Sequence, residues 1–548
     1  MAAISRFGFL VMSIAVALPA ARVQADETGA AKVGGPRFEV VLDSAIAKQS
    51  VTGQLFVFLS QRSAGQPVNG PNWFRPEPFF RLDVVDFVPG TSRMVDDTAA
   101  GFPRRLSKLP PGKYRVQAIL DHDFYQPRAA LGVGNFYSDV AEVELKPRSI
   151  VKLRLDLKRR VEARPFPENR WVRLVEMRSP RLSKFHHRKV MVRAAVVLPR
   201  SYDEQPERKY PTLYIISGFG GTLEQMARRY AGGPPAADSG EVEFIRVLLS
   251  GNCKWGHHAY ADGPTNGPRG TSLVKELIPR VESRFRAIGR PTARLLTGHS
   301  SGGWASLWLQ VSFPENFGGV WSTAPDPVDF RDFQQVDLYR NPPESLYFDE
   351  AGNRRPLARR GTTPVIWYED FARMDDVLGR GGQLRSFEAV FSPLDERGLP
   401  RKLWDRRSGR IDPAIAQAWR KYDIRLKLER NWKALEPKLR GKLHIYMGTL
   451  DTFYLNGAVE RLAETLARLK SDARVHLVEG ADHVSLLSPE RLRTIRHEMS
   501  DTVRRHHPAM VPRVSQGQEP GSDSVPHAAS TAKPSGGYRL NSPPKNSL

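Results

Sequence analysis

Arg294-Leu-Leu-Thr-Gly-His-Ser-Ser-Gly-Gly-Trp-Ala-Ser-Leu-Trp-Leu-Gln310 is the stretch on which the fold turns. Leu295 and Leu296 read as a short buried strand, the glycines as a tight turn, and the residues after them as a helix. Trp304, Leu307, Trp308 and Val311 recur at i, i+3, i+4 and i+7, which predicts an amphipathic helix with one apolar face. Between strand and helix, residues 298–302 fit G-x-S-x-G. That motif is a strand-to-helix turn that strains its central residue and lifts it clear of the sheet edge. Bulky neighbours would block such a turn, and Gly298, Gly302 and Gly303 leave it room. Ser300 is therefore a candidate nucleophile. The first N–H groups of the helix, that of Ser301 among them, would face negative charge developing beside it.

Working outward, residues 190–198, 210–216, 244–249, 319–324, 443–447 and 475–478 read as strands. Several are continuous apolar runs of the kind buried in parallel sheets. Helical patterns lie between them, one over 271–286 and one through Val459, Leu462, Leu466 and Leu469. Alternating strands and helices predict an α/β fold with a mostly parallel sheet. A serine hydroxyl needs a base, and the base needs an acid to orient it. Asp451 directly follows the strand ending at 447, and His483 directly follows the strand ending at 478. One helix joins the two positions, so both should emerge at the sheet edge that carries Ser300. Asp482 competes for the acid role, but a residue next to His483 in sequence is poorly placed to accept from its ring. Residues 217–221, Ser-Gly-Phe-Gly-Gly, follow the strand ending at 216. Their glycines allow close backbone approach, and the Phe219 N–H would join that of Ser301 as an oxyanion donor.

The runs at 210–221 and 298–303, the Asp451 turn and Asp482-His483 together resemble the esterase-D-like ("putative esterase") branch of the α/β-hydrolases. That branch includes formylglutathione hydrolases, feruloyl and acetylxylan esterases, enterochelin esterases and mycolyltransferases. The resemblance covers roughly 190–505, apart from an insertion at about 325–441. It implies a serine carboxylesterase that works through an acyl-enzyme, with Ser300, His483 and Asp451 as the catalytic set and with no metal or organic cofactor. Acyl or feruloyl esters on polysaccharide are the expected substrates. An acyltransferase and a siderophore-ester hydrolase are the alternatives within the same chemistry, and a non-catalytic glycan-binding protein is the alternative outside it. Gly220, Trp255, Asn266 and His299 are candidate substrate-binding residues. The chain departs from the family in two places. Ser217-Gly218 stands where the family usually has His-Gly, and the insertion is unusually long, in the position of a lid.

Ahead of the hydrolase region, 36–160 shows short strands with turn signals between them, which predicts an Ig-like β-sandwich. Trp73, Phe74, Phe79 and Phe80 there suit either a glycan platform or packing against the neighbouring domain. Residues 161–189 read as a basic linker. Residues 1–25 have a basic start, an apolar stretch and a small-x-small site, the pattern of a secretory signal. The Ser/Pro/Gly-rich 506–548 read as a disordered tail.

The net charge of +23 comes without a long basic run or a nucleic-acid motif, so an Arg-rich surface is expected rather than a nucleic-acid binder. Attraction to acidic glycans or anionic head groups stays open. Cys253 is the only cysteine, which excludes an intramolecular disulfide and any Cys-rich zinc site. His257-His258 and His186-His187 lack ligand-spaced partners, so neither pair reads as a metal site. The pattern suits a bacterial periplasmic or extracellular enzyme without stable membrane insertion, and no motif sets an oligomeric state.

Overall fold

The computed structural model describes residues 35–147, 150–238 and 241–508. The signal reading over 1–25 and the tail beyond 508 lie outside the described residues. Eight strands form the catalytic sheet: β1 (Val172–Arg178), β2 (Met191–Val197), β3 (Thr212–Ile216), β4 (Ile245–Leu249), β5 (Arg294–His299), β6 (Gly319–Thr323), β7 (Leu443–Gly448) and β8 (Arg474–Val478). Their spatial order is β1-β2-β4-β3-β5-β6-β7-β8. The sheet is mixed. β1 with β2 and β2 with β4 run antiparallel, and the pairs from β4 to β8 run parallel. Ile216 lies opposite Gly298, Gly298 opposite Ser322, and Gly448 opposite Val478. Strands in that register end together, so the loops after β3, β5, β6, β7 and β8 open at one edge.

Two expectations change here. The stretch 161–189 is not a bare linker, because it supplies edge strand β1 and a short helix, Pro180–Phe185. β1 buries Val172 and Val175 on opposite faces of the sheet, in two different cores, and the charged residues between and after them hid the strand. The helix after the elbow, Ser301–Ser312, is not amphipathic in effect, since every residue from Ser301 to Val311 is buried. The 325–441 insertion covers the face that would otherwise meet water. Its Phe391 and Tyr422 rings pack on Trp304 and Trp308, 5.2 and 5.7 Å between centroids.

The N-terminal strands, from Arg37–Leu42 to Lys152–Arg160, number nine and are joined by hydrogen bonds into one continuous sheet. Pairing alone does not divide them into the two facing sheets of a sandwich. The strand Val51–Ser60 shows why this region is not an independent module. Leu55, Val57 and Leu59 enter a core of the N-terminal sheet's own, whereas Phe56 and Phe58, on the opposite face, join the core of the catalytic region. Phe79 and Phe80 divide in the same way and are fully buried, so neither belongs to an exposed platform. Among the described residues, no helix is long and apolar enough to cross a membrane.

Candidate active site

Ser300 sits between β5 and the buried helix with φ +60° and ψ −126°, a conformation that costs on the order of 1–3 kcal/mol and persists only where its surroundings enforce it. They do so here. A Cβ at Gly298 would lie 2.1 Å from the Gly302 carbonyl oxygen, and one at Gly302 would lie 2.2 Å from that of Ile216. The Ser300 N–H donates to the Thr323 carbonyl at 3.0 Å, and its own carbonyl accepts from Trp304 N–H at 3.0 Å.

Asp451 follows β7 and is fully buried. Its Oδ1 accepts from Phe453 N–H at 2.9 Å, and its Oδ2 lies 2.7 Å from His483 Nδ1. Arg359, on the insertion hairpin, donates to the carbonyls of Asp451 (3.0 Å) and Thr449 (3.1 Å), so the insertion braces the acid loop. Burial alone would lower the His483 pKa. Asp451, then Asp326 and Asp482, outweigh it and hold His483 above the ordinary histidine value. Asp482 instead accepts from Val484 and Ser485 N–H, capping its own turn.

The 217–221 loop lies against the elbow, a Cβ at Gly218 falling 3.1 Å from the His299 carbonyl oxygen. Ser217, where the family usually has histidine, accepts at its carbonyl from His257 Nε2 at 3.0 Å. His257 is buried, its Nδ1 accepts from Ala259 N–H at 3.1 Å, and burial lowers its pKa to about 4. It is thus a neutral strut under this loop. His299 is pushed down to about 3, by burial first and then by the adjacent His483, whose ring centroid is 4.5 Å away. It acts as an uncharged wall.

A cavity of about 270 Å³ opens over Ser300. Its lining includes Phe219, His299, Asp326 and His483. Gly220, Trp255 and Asn266 do not line it. Gly220 supplies the positive-φ corner of its loop. The Trp255 ring faces Lys254 and Arg380. Asn266 is buried and tied to Cys253 Sγ and the Ala389 carbonyl.

The lining also holds Trp73, which the sequence offers as a glycan-platform or domain-packing residue, and Asp326, which it does not mark. Trp73 reaches in from the N-terminal region, and its ring lies 5.6 Å from Phe219, 5.0 Å from Phe371 and 6.4 Å from Phe453. One indole therefore joins the 217–221 loop, the insertion and the acid loop, three segments far apart in sequence. Asp326 is the other. Its carboxylate accepts from Ser301 Oγ at 2.5 Å, and burial pushes its pKa up to about 6. It lies just past the end of β6, as Asp451 does past β7, and that shared placement was the available signal. Because Asp326 helps hold the proton on His483, D326N is expected to lower the His483 pKa. The acid limb of kcat/KM should lie above pH 6.5 in the parent and move toward lower pH in D326N. A pH–rate profile measures this, and an unmoved limb would count against it.

The family described as "Putative esterase" matches residues 187–486, more than half of the chain. No curated protein matches. Among solved structures, a ferulic acid esterase is 16% identical, with 61% of this chain and 100% of that chain covered at a TM-score of 0.37. Staphylococcus aureus fluorophosphonate-binding serine hydrolase F is 12% identical, with 60% and 98% covered at 0.37. The S-formylglutathione hydrolase from Agrobacterium tumefaciens is 14% identical, with 63% and 95% covered at 0.31. The matched span runs from just before β2 through the elbow and the Asp451 turn to His483, and on it the chain belongs to the putative esterase family, of the α/β-hydrolase kind, and is a serine carboxylic ester hydrolase.

Proposed function

We propose that Ser300 is the nucleophile of an exported carboxylesterase whose base is His483 and whose acid is Asp451. The observation that carries the reading is the 2.7 Å contact of His483 Nδ1 with a fully buried Asp451, in a cavity that Ser300 also lines. In this reading Asp451 holds the Nδ1 proton, which leaves Nε2 free to take the proton of Ser300 as its oxygen attacks the ester carbonyl. The Phe219 and Ser301 N–H groups take the oxyanion. His483 then returns the proton to the departing alcohol, and water resolves the acyl-enzyme by the same steps.

Trp73, Phe219, Phe371, Phe387 and Phe453 give the cavity aromatic walls, which favour an apolar, flat acyl group over a strongly hydrated one. A feruloyl-type ester on a polysaccharide fits that wall chemistry, and export fits the leader pattern of residues 1–25. The test is hydrolysis of acetylated and feruloylated oligosaccharides by the parent and by W73A. Feruloyl esters should be preferred by the parent, and W73A should lose about tenfold or more of that preference, since an aromatic truncation removes both area and ring contacts. A parent that hydrolyses neither ester would reject the reading, and equal preference in the two proteins would reject the role of Trp73.

A further inference from the structure

A second cavity, of about 200 Å³, lies outside the catalytic one, between the Tyr125–Gln126 loop, β2 and the loops that follow β3 and β4. Its lining is chemically mixed: Leu182, Val192, Leu223 and Leu273 are apolar, and Ser250, Asn252, Tyr260 and Arg269 are polar. The carboxylate in the lining, Glu224, is already taken by Arg193 at 2.9 Å.

Arg269 has no such partner. Its Nε donates to the Asn266 carbonyl at 3.0 Å, and among the described residues it forms no other hydrogen bond and no ion pair. The groups that act on its charge include Cys253, Tyr260, Tyr125 and Arg188, none of them a carboxylate. Burial and the nearby Arg188 both disfavour the charged guanidinium there. Half-buried in the cavity lining without a counter-ion, the guanidinium keeps its fork for a carboxylate, which it matches with two parallel hydrogen bonds. The leucines and valine that share the lining with it call for a ligand with an apolar body.

We propose that this cavity binds a small organic carboxylate with an apolar body, and that Arg269 is its counter-ion. The acid set free by ester hydrolysis is of the same chemical class. The cavity also touches the catalytic machinery. Thr222 lines it directly after the 217–221 loop, and Ser250 Oγ, also in its lining, donates to the Gly221 carbonyl at 3.3 Å. Occupancy there bears on the loop that presents the Phe219 N–H.

The proposal does not depend on Ser300, and its test is binding to the full chain at fixed ionic strength. Phenylacetate is the probe, and phenylacetamide is its uncharged control. The parent should bind phenylacetate and melt at a higher temperature in its presence, because a ligand that binds only the folded state stabilises it. R269Q should bind at least about tenfold more weakly. It should hydrolyse a simple ester at the parent's rate. V192W, which fills the cavity and leaves Arg269 in place, should also lose the ligand. Because neither residue lines the catalytic cavity, a loss in these variants assigns the binding to the second one. Equal affinity for phenylacetate and phenylacetamide, undiminished binding in R269Q, or no binding by the parent up to about 10 mM would overturn the proposal.

Discussion

S300A is expected to lose at least about a thousandfold in kcat/KM toward an aryl ester such as p-nitrophenyl acetate, a loss of about 4 kcal/mol in transition-state stabilisation. The expectation follows from what the rest of the site cannot do alone. Without the hydroxyl, His483 has no nucleophile to activate, and only ester binding and the oxyanion donors remain to help an attacking water. The Ser300 backbone is held by its hydrogen bonds to Thr323 and Trp304, which alanine keeps, and alanine fills no more space than serine. The variant should therefore fold and still bind the ester, which circular dichroism and ligand titration would establish beside the kinetics. Rates within about tenfold of the parent would remove Ser300 from the mechanism.

D451N is expected to cost on the order of 10³–10⁴-fold in kcat with little change in KM, for a reason of proton placement rather than packing. Asn keeps the shape of Asp451 and an acceptor for Phe453 N–H. Its amide, turned to His483 Nδ1, donates a proton where the carboxylate accepted one. The imidazole then carries its own proton on Nε2, facing Ser300, and no longer serves as base. The loss also removes the largest charge supporting the raised His483 pKa, so the residual activity should show its acid limb at lower pH than the parent. Asp326 and Asp482 stay charged nearby but neither takes the place of Asp451. Asp326 accepts from Ser301 Oγ, and Asp482 caps its own turn. A D451N rate close to the parent's would assign the orienting role elsewhere.

The order of serine, acid and histidine, each directly after a strand, was legible in the chain because strand ends and tight turns leave local marks. Apolar runs mark the strands, and close packing marks the glycines of the elbow: Gly298 and Gly302 admit no Cβ whatever surrounds them. Asp326 was missed although it obeys the same strand-end rule, because a carboxyl with no histidine or metal beside it in sequence looks like any other loop aspartate. The sequence marks 161–189 only as a linker because Arg173, Glu176 and Arg178 of an edge strand mask its two buried valines, Val172 and Val175, which lie on opposite faces and so give no alternation.

The sequence by itself determined the α/β architecture of the catalytic region, the elbow at Ser300 and the strand-end positions of Asp451 and His483, since all of these depend on residues close together in the chain. Only the tertiary structure decided what surrounds them. Trp73, Phe371 and Phe453 meet over Ser300, Trp73 from nearly three hundred residues before the nearer of the other two, and the elbow helix is buried on all sides because residues such as Phe391 and Tyr422, deep in the insertion that follows it, lie on it. Arg269 is left without an anion because no acidic side chain from any packed element reaches it. A local pattern specifies which face of an element is apolar. Which distant segment covers that face, and whether a charge finds its partner, are settled only when all the faces are packed together.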